Sequence, residues 1–161
     1  MIKPILVFGY GNLSRGDDAV GPLLLEYLER RADLASTELQ TDFQLQIEHA
    51  LDLQGRELVI FVDASVAITS AFSFNRLQAR RDNSYTTHAM SPWALLQVFE
   101  TVIGHMPPPS FLLSIKTEAF ELGTSPSEVA TENLNQACGF IEHLLSQPVA
   151  ATLAEYPLPL P

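Results

Sequence analysis

Two uninterrupted apolar runs, Ile5 to Phe8 (ILVF) and Leu58 to Val62 (LVIFV), constrain this chain more than any other feature. A strand with one face in water alternates apolar and polar residues, whereas a strand that is apolar at every position has both faces covered. Two such strands call for a sheet with a layer on each side, and the intervening segments can supply those layers. Pro22 fits the first turn of a helix, and Leu24, Tyr27 and Leu28 recur behind it at helical spacing, which predicts a first helix over Asp18 to Ala32. Ser91-Pro92 offers an N-cap and a first-turn proline to the run Trp93 to Ile103. Ser125-Pro126, with Glu128 three residues past the serine as a capping box, opens a long helix to Leu145.

Further strands are expected at Phe43 to Ile47, at Phe111 to Ile115 beyond the break Pro107-Pro108-Pro109, and at the more polar Ala71 to Leu77, which suits a sheet edge. His49 to Gly55 reads as one or two helical turns stopped by glycine. Strands alternating with helices make an α/β fold: a three-layer sandwich with a mainly parallel, twisted central sheet flanked by helices. One domain over residues 1–147 is expected, followed by a Pro-rich tail, 148–161, whose four prolines and lack of periodicity predict a disordered or surface-draped segment.

The charge balance excludes several classes of function. A net charge of −10 leaves no basic stripe for neutralising phosphates, which argues against nucleic acid or an anionic membrane as partner. Cys138 is the single cysteine, so neither an internal disulfide nor a cysteine-based zinc cage can form, and its helical setting predicts a buried, inert thiol. The start, MIKPILVFGYG, enters a strand directly, and no apolar stretch reaches the roughly 18 residues of a membrane span. A soluble cytoplasmic protein is the expectation.

The turn after the first strand, GYGNLSRGDDAVG, is built to present chemistry. Gly9, Gly11 and Gly16 invite comparison with a dinucleotide fingerprint, but the third glycine of G-x-G-x-x-G would have to be at position 14, which is Ser14. Asp17 and Asp18 also put negative charge where a pyrophosphate would have to bind, and no G-K-[ST] is present for a P-loop. The plain role of both acids is to cap a helix N-terminus. A second role follows from the sheet, because ligands of open α/β folds gather beyond the carboxyl ends of the strands. Asp18 follows strand one and Asp63 ends the LVIFV strand, so two carboxylates share one rim. His88, in Thr86-Thr87-His88 shortly before a helix, can join them from a loop. Two oxygens and one imidazole with open positions suit a divalent transition metal. His49, His105 and His143 fall on predicted helical or loop surfaces and receive no role.

Other hydrolytic schemes fit less well. There is no G-x-S-x-G elbow, Ser14 and Ser65 lack a histidine at a triad-like position, and H-E-x-x-H is absent. An Asp18/Asp63 dyad of the aspartic-protease kind would need the two acids at proton-sharing distance.

At these residues the chain resembles the nickel-iron hydrogenase maturation endopeptidases. The family's opening signature is matched by Gly9-Tyr10-Gly11-Asn12, Asp17-Asp18 and Gly21, its apolar strand ending in Asp by Val59 to Asp63, and its Ser/Thr-x-His segment by Thr86-Thr87-His88. The matches occur in family order from Ile2 to Leu145; the loop around Gln46 to His49 is less Gly-rich than in some members. The resemblance implies a phosphorylase/hydrolase-like α/β fold and removal of a C-terminal extension from the precursor of a hydrogenase large subunit after nickel insertion. It also implies Asp18, Asp63 and His88 as catalytic and metal-binding residues, with nickel brought by the substrate. Whether the metal polarises the carbonyl, the metal supplies the attacking water, or Asp63 acts as general base stays open. A nickel-sensing chaperone without catalysis and a degenerate nucleotide-binding domain are the competing expectations.

Overall fold

The two apolar runs do lie side by side. In the computed structural model, which describes residues 1–80 and 90–158, β1 (Ile5–Tyr10) and β3 (Leu58–Ser65) pair in parallel, with Ile5 opposite Leu58 and Gly9 opposite Val62. Together with β2 (Thr37–Asp42), β4 (Phe72–Arg76) and β5 (Ser110–Lys116) they form a five-stranded sheet in the order β2-β1-β3-β5-β4. All pairings are parallel except β4 with β5, so the expected mainly parallel sheet is the one observed.

Each face of the sheet has its own core. On one side α1 (Val20–Arg31) and α3 (Glu128–Leu145) pack Leu24, Leu28, Ala137 and Ile141 onto Val7, Ile60, Val62 and Leu113. On the other, a 3₁₀ segment (Ile47–Leu53) and α2 (Pro92–Ile103) bring Leu53, Leu95 and Phe99 onto Leu6, Phe8, Val59 and Phe61. Phe8, Phe61 and Ile60 are fully buried, and each such side chain withdraws apolar area worth about 1.5–3 kcal/mol from water. This two-sided covering explains why neither run alternates. Ser91 caps α2 as expected, its hydroxyl accepting from the Ala94 N–H at 3.2 Å.

The structure corrects the sequence reading in five places. The second strand is Thr37–Asp42 rather than Phe43 to Ile47: of that alternating stretch only Leu45 is buried, while Phe43 and Ile47 face solvent. The first helix is preceded by a 3₁₀ turn over Gly16–Ala19, which carries both aspartates, and α1 proper begins at Val20. Asp63 does not end β3 but sits within it, opposite Ser114 of β5, and the strand runs on to Ser65. Ser127, not Ser125, caps α3, because its hydroxyl reaches the Ala130 N–H. The Pro-rich segment contains a helix, α4 (Val149–Glu155), and Tyr156 beyond it packs edge-on against Phe74 at 5.0 Å and Phe111 at 6.1 Å. Aromatic faces left open beside edge strand β4 give that short segment something to bury.

Candidate active site

From β1 the chain turns to β2 on one side, then returns through β3 on the other side of β1. The connections on the two sides of this reversal leave the sheet in opposite directions, and in open α/β sheets such a reversal marks the place of a ligand crevice, here at the carboxyl ends of β1 and β3. The turn that follows β1 and the last residues of β3, 63–65, lie at these strand ends.

Close backbone approach builds the turn. A Cβ on Gly11, whose φ is +148°, would stand 2.0 Å from the carbonyl oxygen of Asp18. A Cβ on Gly21 would meet the carbonyls of Tyr10 and Val62 at 2.8 and 3.0 Å, so the first turn of α1 rests directly on both central strands. Asp18 is thereby held beside the end of β1, one carboxylate oxygen accepting the Asn12 N–H at 2.6 Å.

The adjacent aspartates do different work. Asp17 is fully buried and accepts four hydrogen bonds, from the N–H groups of Glu118, Ser127 and Ala119 and from the Ser127 hydroxyl. Burial pushes its carboxyl up, but the bonds from Glu118, Ser127 and Ala119 outweigh this and hold it below the ordinary carboxylate range. Neither aspartate makes a side-chain cap to its own helix. Asp17 instead ties the 3₁₀ turn to the loop entering α3. Asp18 is half-buried.

Asp63 shares the rim with Asp18. Its Oδ1 accepts the N–H of Ala64 at 2.7 Å, and its Oδ2 accepts the hydroxyl of buried Tyr10 at 3.1 Å. Surrounding protein pushes its carboxyl up to about 6, the bonds from Tyr10 and Ala64 pull the other way, and the negative charge of Asp18 adds to the rise. Tyr10 feels both acids in turn: burial, then the charge of Asp63 and the bond to it, then Asp18, raise its phenol well above 10. The structure thus brings Asp18 and Asp63 together around Tyr10. His88 lies outside the described residues, and among those described no three metal-ligating side chains cluster.

Two residues here were missed in the sequence. The sequence assigns Tyr10 no role of its own, and only its seat beside β3 reveals its partner. His49, expected on a surface, is buried at the carboxyl end of the sheet, where Nδ1 accepts the Gln46 N–H at 2.8 Å, Nε2 meets Asp42 at 3.1 Å, and the ring stands edge-on to Phe8. The Gln-x-x-His spacing of a capping box was the available signal. Cys138 is buried as expected, and burial and Glu142 push its thiol up to about 11.

No family model matches the sequence, and no curated protein matches it either. Solved structures do match. The [NiFe] hydrogenase maturation protease HycI from Thermococcus kodakarensis superposes with a TM-score of 0.68 at 21% identity, over 91% of this chain and 94% of that one. The hydrogenase maturating endopeptidase HybD from E. coli gives 0.69 at 23% identity, over 88% and 91%. The solution structure of an endopeptidase from Escherichia coli gives 0.70 at 22%, with the same coverage. Five-stranded sheet, flanking helices and nearly full mutual coverage agree, and the chain therefore has the fold of the [NiFe] hydrogenase maturation proteases.

Proposed function

We propose that this chain is an endopeptidase that removes the C-terminal extension from the precursor of a [NiFe] hydrogenase large subunit after nickel insertion. One observation supports the reading: Asp18 and Asp63 both act on buried Tyr10, at the carboxyl ends of β1 and β3, in the fold of the [NiFe] hydrogenase maturation proteases. His88 is the third member of the proposed site. Two carboxylates and an imidazole suit a divalent ion of nickel's borderline softness, and the nickel arrives as part of the substrate. A site of only three protein donors leaves positions open for the precursor's own groups. Cleavage therefore waits on a loaded precursor.

Hydrolysis adds a water oxygen to the scissile carbonyl carbon, and the amide nitrogen leaves with a proton. A group that carries that proton works best when it titrates near the working pH. In the metal-free chain Asp63 is raised to about 6 and held by Tyr10, so it can carry this proton only where it is not itself bound to the cation, which would lower it. Cytoplasmic action belongs to the same reading; no described helix is long and apolar enough to cross a membrane.

The test is to incubate the purified protein with nickel-loaded and nickel-free large-subunit precursor. A shortened product from the loaded form alone is expected. A stable, uncleaved complex would make the protein a nickel-sensing binder instead. Asp18→Asn and His88→Ala should each abolish cleavage and leave the melting temperature unchanged; full processing by either variant refutes the metal-site role.

A further inference from the structure

We propose that the groove between α1 and the free edge of β2 docks an extended basic segment of the precursor, which adds to β2 as an extra strand. The inference rests on the endopeptidase reading of the neighbouring crevice and names how its substrate is held. Pro22, Leu25, Glu26 and Glu29 of α1 face Leu39 and Thr41 of β2 across a cavity of about 460 Å³. A second cavity of about 380 Å³ shares Leu13, Pro22 and Thr41 with it and continues to Gly11, Asn12 and Phe43. The two form one groove that runs along β2 to the turn whose Asn12 N–H holds Asp18.

Three properties select the occupant. Among the described residues β2 pairs only with β1, so its outer edge is open. The carbonyls of Ser36 and Asp42 accept from Ile5 and Gly11 of the β1 side, each at 3.0 Å. In the alternation of a parallel ladder, the N–H and C=O groups of Leu39 and Thr41 then face outward, where an extended chain can pair with them. Next, Glu26 and Glu29 are exposed, and among the described residues neither has a cationic partner, whereas Glu38 is paired with Arg56 at 3.1 Å. Lys3 also lines the groove, its ammonium donating to the Leu34 carbonyl at 2.8 Å, but two free carboxylates against one cation leave the groove net acidic, which in a chain of net charge −10 favours a cationic segment. Finally, Leu13 and Phe43 at the crevice end are 53% and 72% exposed, which offers apolar contact to alternate side chains of the same segment.

The test has two arms. In the first, a fluorescein-labelled peptide of about eight residues alternating Lys and Val is titrated with the full chain and followed by anisotropy, beside a Glu-Val peptide. The Lys-Val peptide should bind, about tenfold more weakly to Glu26→Lys/Glu29→Lys and to Thr41→Pro, and as well as wild type to Glu132→Lys on the outer face of α3. Thr41→Pro removes an outward N–H and no ladder bond; should it fail to fold, the charge-reversed pair still decides. Equal binding of both peptides, or equal binding by wild type and the charge-reversed pair, overturns the groove. In the second arm, the charge-reversed pair should raise KM for nickel-loaded precursor about tenfold with kcat retained. An unchanged KM with active wild type refutes the groove alone. Absence of cleavage by wild type refutes the endopeptidase reading, while the peptide arm still judges the groove.

Discussion

Replacing Asp17 with alanine is the sharpest test of how the crevice is built. Its Oδ2 accepts from the N–H groups of Glu118 and Ala119 and from the Ser127 hydroxyl, and its Oδ1 accepts from the Ser127 N–H. A hydrogen bond to a charged group contributes about 1.5–3 kcal/mol, and an orphaned buried donor costs about 1–3. Glu118 and Ala119 lie at the surface, so water recovers part of this, and relief of the buried charge recovers more. A net loss of about 3 kcal/mol remains. For a chain of this size it lowers the melting temperature by about 6–12 °C. Asp17→Asn should lose about half as much, because its single oxygen can replace Oδ2 while its amide N–H₂ opposes the Ser127 N–H. Asp18→Ala, which removes one accepted bond, should cost about 1 kcal/mol. The pH dependence has a definite sign. A carboxyl held below its ordinary value of 3.8 stabilises the fold above that pH, and the contribution is lost as pH falls through the depressed value. The gap between wild type and Asp17→Ala should therefore be full at neutral pH and close in strong acid. Calorimetry from pH 2 to 7 reads all of this, and Asp17→Ala melting within about 1 °C of wild type at pH 7 would refute the anchoring role.

Three further perturbations probe the same architecture. The Asp63 carboxyl, followed by carbon NMR in the metal-free protein, should titrate near 6, and Tyr10→Phe should move it higher by removing a bond that favours the ionised form. Because this carboxyl is raised, its contribution to stability is present below pH 3.8 and is lost as pH rises through about 6; a midpoint near 4 would contradict the desolvation of this carboxyl. Gly21→Ala should cost about 1–3 kcal/mol in urea denaturation and slow precursor cleavage, since its methyl would push α1 off Tyr10 and Val62 and carry Asp18 with it; unchanged stability would show that the approach is looser than described. Tyr156→Ala should cost about 2–3 kcal/mol by uncovering Phe74 and Phe111, and a neutral result would mean that α4 is not docked there.

Periodicity and composition were enough to read the layers and the two central strands, since a run such as LVIFV cannot be satisfied at a surface. They were enough also for α2 and its cap, where local chemistry and tertiary packing agree. The second strand was misread because Phe43 to Ile47 shows a clean alternation, while the true strand TELQTD is an edge whose single covered face needs few apolar residues. Periodicity cannot register that difference, because what separates the two segments is which of them meets β1.

The sequence by itself determined that a glycine-built turn carries two carboxylates from a buried strand to a helix and that a third ends up near a second buried strand, because these are local consequences of residue type and spacing. Only the tertiary structure decided which carboxylate does what. Asp17 and Asp18 are chemically identical neighbours, and they part company because the loop from β5 to α3 folds onto one and leaves the other at the crevice. Likewise, Asp63 acquires its raised carboxyl and its Tyr10 partner from strand adjacency, a contact across 53 positions of chain that no local pattern encodes.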